Sequence, residues 1–137
     1  SLDGDIKSAY GSSDIVLARL SSDGKLKDLK NIGTSSFEKA NSFLRRKDGT
    51  LVIVGQRSNQ NGFLNTENVG NDITLYYTLE NGSLIKTTNL GDYGFNQAND
   101  VILSNQNKVI VIGSSESVLK PFQNSKGSKD IFIAIWY

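Results

Sequence analysis

The chain has no cysteine, no histidine and no methionine, and one proline, Pro121, in 137 residues. Without thiol or imidazole, neither a zinc finger, haem ligation by these groups nor a Ser-His or Cys-His nucleophilic centre can be built. With no disulfide framework, the redox compartment cannot be read from staples. The missing methionine leads us to expect a processed chain or a piece of something longer. Fifteen basic residues nearly cancel fourteen acidic ones, leaving a net charge of +1. That balance gives no support to a nucleic-acid or membrane-surface partner, since both want clustered basic charge. No apolar run approaches the roughly 18 residues needed to cross a bilayer. No signal-peptide pattern stands at the amino end. P-loop and dinucleotide fingerprints are missing, and so is the Asp-box pattern of sialidases.

Turn formers are plentiful: thirteen glycines, with many Asn, Ser and Asp. They are spaced by a period. Asp14-Ile15, Asp72-Ile73 and Asp130-Ile131 stand 58 residues apart. Laying residues 14–55 over 72–113 needs no gap and matches eleven positions, among them Leu17/Leu75, Gly24/Gly82, Gly33/Gly91, Phe37/Phe95, Ala40/Ala98 and Gly55/Gly113. A fixed period of this size means one supersecondary unit used again, and it makes most recurring residues scaffold and not site.

Each unit reads as four short strands. Ile73, Leu75, Tyr77 and Leu79 alternate with other residues, as do Ile131, Ile133, Ile135 and Tyr137. Alternation with period two marks a strand. Asp23-Gly24 and Asn81-Gly82 then predict two-residue hairpins, leading into the largely polar segments Lys25–Ile32 and Ser83–Leu90. After a glycine-containing loop come Ala40–Lys47 and Ala98–Asn105. A second turn, Asp48-Gly49 or Gln106-Asn107, leads into Leu51–Gly55 and Val109–Gly113. Those short β-branched runs want burial on both faces. A sheet with a protected middle and a wet outer edge predicts a β-propeller blade, its inner strand at Ala40–Lys47 and Ala98–Asn105. Lys25, Lys27 and Lys30 would guard the outer edge against edge-to-edge pairing.

The ordered series Asp3-Gly4-Asp5, Gly11-Ser12-Ser13-Asp14-Ile15, Ser22-Asp23-Gly24, Gly33, Ala40-Asn41, Asp48-Gly49 and Val52-Ile53-Val54-Gly55 resembles the blades of bacterial secreted and lipoprotein β-propellers. The likeness covers nearly the whole chain. It departs from the family at Lys27-Asp28-Leu29, where a Trp is usual, and at Asn61-Gly62-Phe63 and Lys120-Pro121-Phe122, which replace Asp-Gly-Asp. The resemblance implies an all-β propeller fold and an extracytoplasmic home, secreted or on the cell surface. It implies no reaction.

About 2.4 repeats are present, whereas a propeller closes with about four to eight blades. The expected division is residues 1–39 as the outer strands of a first blade, 40–97 as a complete blade, and 98–137 as three strands of a further blade. Partners are therefore further blades of the same protein or other copies of the chain that complete a ring or fibre.

Function is expected on the face carrying the long loops, Thr34–Lys39, Asp92–Gln97, Gln56–Asn71 and Ser114–Lys129. The ligand-binding candidates there are Glu38, Asp92, Tyr93, Asn96 and Gln97, since a phenol beside amide and acid groups suits sugar recognition. A hydrophilic loop with no ligand is the alternative. Asp3 and Asp5 are a candidate calcium pair, with a solvated turn as the alternative, and no other cofactor is expected. No catalytic residue stands out. The leading expectation is a non-catalytic scaffold or binding module for protein or glycan. A self-assembling structural subunit and a fragment of a propeller enzyme such as a glycan hydrolase remain open beside it.

Overall fold

The computed structural model describes residues 10–58, 70–91, 94–116 and 127–137. Nine strands follow one another: β1 (Ile15–Leu20), β2 (Leu26–Ile32), β3 (Glu38–Arg45), β4 (Leu51–Ser58), β5 (Asn71–Thr78), β6 (Leu84–Leu90), β7 (Asn96–Leu103), β8 (Val109–Ser115) and β9 (Asp130–Trp136). No helix occurs among the described residues. The chain is all-β, as expected. Neighbouring strands pair antiparallel into three sheets, β1-β2, β3-β4-β5-β6 and β7-β8-β9. Among the described residues these sheets form no closed barrel or ring.

The sheets stack, and the middle one is covered on both faces. Alternation along β4 decides which side chain goes where. Val52 and Val54 point with Ile73, Leu75 and Tyr77 toward the third sheet, where Ala98, Val101, Val109, Val111 and Phe132 meet them. Ile53 and Tyr76 point the other way, onto Ile15, Leu17 and Ile32 of the first sheet. The Leu51–Gly55 run is buried throughout, as its unbroken apolar sequence predicts. Full burial of one such branched side chain contributes about 1.5–3 kcal/mol.

Several features recur at an offset of 58 residues. A bulge falls between Ala40 and Ser42 in β3 and between Ala98 and Asp100 in β7. Parallel bridges join Ser13 to Phe37 and Asn71 to Phe95. Ser58 N–H donates to Phe37 O at 2.9 Å, and Glu116 N–H to Phe95 O at 3.2 Å. The bridges tie each sheet to its neighbour at the end where the long loops emerge, and the two hydrogen bonds extend the β3-β4 and β7-β8 pairings past Phe37 and Phe95. The inner strands also touch sideways: Asn41 Nδ2 donates to Ala98 O at 2.7 Å, and Ser42 Oγ to Asp100 Oδ1 at 2.6 Å. That Ser42 hydroxyl, and then the Val101 N–H, hold the Asp100 carboxyl below its ordinary value of 3.8.

Two local expectations change. The inner strands begin two residues earlier than Ala40 and Ala98, because Phe37 is already bridged and Glu38 N–H donates to Ser13 O at 2.8 Å. The hairpins have three-residue loops, not two. Ser21 N–H donates to Lys25 O at 2.8 Å and Gly24 N–H to Ser21 O at 2.9 Å, a type I turn closed by a left-handed residue. Gly24, Gly49, Gly82 and Asn107 take that place, with φ of 81°, 85°, 80° and 62°. Type I′ turns would need positive φ at the preceding residue too. The Asx residues serve otherwise: Asp48 Oδ1 accepts from Thr50 N–H at 2.9 Å and Asn81 Oδ1 from Ser83 N–H at 3.0 Å.

Candidate ligand-binding cleft

Where the first and second sheets diverge, between β2 and β6, a cleft of about 270 Å³ opens. The apolar contact of Ile15, Ile32, Ile53 and Tyr76 forms its floor side. Farther out, polar side chains of both facing strands join Ile32 and Leu84 in its lining, so hydrogen-bonding groups stand within a largely apolar surface. The lining supplies two phenols (Tyr10, Tyr76), two amides (Asn31, Asn89), two cations (Lys30, Arg57) and the hydroxyls of Thr34 and Thr87. Among the described residues no carboxylate lines it.

Local hydrogen bonds set its mouth. Asp14 Oδ2 accepts from Tyr10 N–H at 2.7 Å and from Asn31 Nδ2 at 2.9 Å, which places Tyr10 beside Asn31. Gly33 passes so close to this carboxylate that a Cβ there would lie 2.1 Å from Asp14 Oδ1. Tyr76 is 2% exposed, and among the described residues its hydroxyl has no partner at full hydrogen-bond geometry, Thr74 being the hydroxyl that acts on it. Burial, with a smaller push from the Glu38 charge, raises its pKa from 10.0 to about 12, and Arg57 and Thr74 offset this only in part. A buried phenol kept neutral can donate only to an oxygen brought against it.

Glu38, named from sequence, lies behind this wall and not in it. It opens β3 at 1% exposure. Its Oε2 accepts from Thr34 N–H at 3.1 Å, Oε1 accepts from the Thr34 hydroxyl, and Oε1 lies 3.6 Å from Arg57 Nε. Asn96 occupies the same place in β7, fully buried, with its Oδ1 accepting from Ser115 Oγ at 2.5 Å. The acid–cation pair of one sheet is thus a neutral amide–hydroxyl pair in the next. Both latch the first residue of an inner strand to the end of its neighbour. Gln97 follows on β7, half buried, and donates from Nε2 to Asn99 Oδ1 at 2.7 Å. Glu38 is brought to the cleft through Arg57; Asn96 and Gln97 sit on the third sheet instead. Asp92, Tyr93, Asp3 and Asp5 lie outside the described residues.

Sequence reasoning missed Tyr10, Lys30, Asn31, Arg57, Tyr76 and Asn89 as a group, because the groove lies between two sheets and not on a loop. One signal was available. Glu38 and Arg57 both change at the 58-residue offset, to Asn96 and Ser115, and they change as a compatible pair. Among the described residues, no helix is long and apolar enough to cross a membrane.

Searches against protein-family models and curated proteins found no match for this chain.

Proposed function

We propose that the chain is a non-catalytic scaffold and binding module, built of propeller-type blades like those of bacterial extracytoplasmic β-propellers, and that it takes a glycan in the cleft between its first two sheets. The blade reading is supported by the recurrence of bulges, bridges and hairpins at one offset, and by the sheet stack they hold. The observation that carries the binding reading is the composition of the cleft wall: phenols, amides and cations, with no carboxylate among the described residues. Glycoside hydrolysis ordinarily needs two carboxyl groups flanking the bond, about 5–9.5 Å apart. A wall of donors binds hydroxyl and carboxylate oxygens, and its open tyrosine, Tyr10, offers a stacking surface for a sugar ring. Lys30 and Arg57 favour an acidic glycan over a neutral one.

The test is an array of neutral and acidic oligosaccharides, probed with the wild type, Lys30→Ala and Tyr76→Phe. The expected result is retention of acidic glycans by the wild type, with at least a tenfold loss in either variant, about 1.4 kcal/mol. Equal retention of all sugars, or equal binding by the three proteins, would sink the assignment.

A further inference from the structure

Among the described residues nothing covers the outer face of the third sheet, and it is built like a face that is covered. Register places Ile102, Ile110 and Ile135 in one row across it and Asp100, Ile112 and Ile133 in the next, with Ile131 beyond. Ile131 is 81% exposed, Ile133 66% and Ile102 56%. Fifty-eight residues earlier, the same places on the middle sheet hold Leu44, Val52, Val54, Ile73, Leu75 and Tyr77. There they are the core: Val52, Val54, Ile73 and Leu75 are wholly enclosed, beneath β7, β8 and β9. Five of the six places keep a branched apolar residue and Tyr77 becomes Ile135, so the surface keeps its inter-sheet character. Contiguous apolar surface of this kind marks an interaction site.

The opposite end of the stack carries a matching surface. The outward face of the first sheet holds Val16, Ala18 and Leu20 on β1, paired with Asn31, Leu29 and Leu26 of β2. Val16 is 44% exposed and Leu20 58%. These positions precede Phe132, Ala134 and Trp136 by twice the same interval, and those three residues pack onto the middle sheet from the third. One chain therefore presents, at its two ends, the two kinds of surface that already meet inside it.

We propose that the isoleucine face of β7–β9 docks onto the outward face of β1–β2 of a second copy of this chain, head to tail. The two surfaces differ, so the contact is heterologous and growth continues until a ring closes or a fibre forms. This inference rests on the sheet faces alone and stands whether or not the cleft binds a glycan.

The test is light scattering over a concentration series, using Ile133→Asp, Val16→Asp and their mixture. Both positions face outward, and unchanged far-UV circular dichroism checks that each variant folds; Ile131→Asp is a second disruption of the same face. The wild type is expected to grow above its 15.0 kDa monomer mass with concentration. Each variant alone stops as a monomer. Their equimolar mixture gives a particle of twice the monomer mass and no larger, because each brings one intact surface. A wild type that is monomeric at every concentration overturns the proposal. So does a Val16→Asp variant that dimerises by itself, since the isoleucine faces would then be pairing with each other.

Discussion

At the scale of single residues, the latch at the start of each inner strand shows how a charged pair is held inside a small fold. Glu38 is enclosed, and its oxygens accept from Thr34 while Arg57 sits at 3.6 Å. Removing one partner of such a group leaves the other short of its hydrogen bonds, at a cost of about 1–3 kcal/mol. The equivalent pair Asn96–Ser115 does the same task without charge. Arg57→Ser alone is therefore expected to lower stability in urea by about 1–3 kcal/mol, while Glu38→Asn with Arg57→Ser recovers most of the loss. Equal loss in the single and double variants would show that the two latches are not interchangeable. Tyr76 gives a pH signature. Its folded pKa is raised to about 12 from 10.0, so its contribution is complete below pH 10 and fades as pH climbs from 10 toward 12. Burial raises the pKa of Tyr77 as well, so spectrophotometric titration should find both tyrosines ionising late, and Tyr76→Phe should remove the step at about 12. Tyr77 was legible on the apolar face with Ile73 and Leu75 from alternation, whereas Tyr76 points to the opposite face, onto the first sheet. The surroundings of the Tyr76 hydroxyl were not legible, because partners depend on what the neighbouring sheet offers.

At the scale of elements, turn positions were legible and turn types were not. Asp-Gly and Asn-Gly mark a reversal whether two or three residues form the loop. Only the hydrogen bonds between Ser21 and Lys25, and between Arg46 and Thr50, decide for three. Asn107 shows the steric rule most clearly: it stands where the matching hairpin has Gly49, and Asn tolerates the left-handed region. The bulges were illegible, since Asn41 and Asn99 read as ordinary strand residues. Their consequence is severe. The bulge in β3 carries Lys39 O over Gly55, where an added Cβ would lie 1.8 Å away, and Gln97 O comes within 2.0 Å of the same atom at Gly113. Gly49 has only the tip of Arg45 at 3.9 Å, so Gly49→Ala meets backbone strain alone, about 1–2 kcal/mol. Gly55→Ala must displace a backbone carbonyl from the sheet and is expected to cost clearly more in thermal melts. Similar costs for the two variants would mean that the bulge yields easily.

At the scale of the whole molecule, one sequence pattern occupies two different environments. Leu75 and Ile133 sit at equivalent places on two sheets, one wholly buried and the other 66% exposed. Periodicity could not separate them, because alternation states which residues share a face and not whether another sheet covers it. That is also why the three-sheet stack was legible in outline while its ends were not. The difference is measurable. Leu75→Ala opens a cavity between the second and third sheets and is expected to cost about 2–5 kcal/mol. Ile133→Ala removes side chain that water already reaches, so in dilute solution its cost should lie within about 0.5 kcal/mol. Binding to the folded form alone adds stability that grows with the concentration of the binder. If a second copy covers Ile133, the gap between wild type and Ile133→Ala should therefore widen as protein concentration rises, whereas the cost of Leu75→Ala persists at infinite dilution. Urea titrations at two widely separated concentrations measure both. A cost for Ile133→Ala that is large and independent of concentration would mean that its side chain is already enclosed within the single chain.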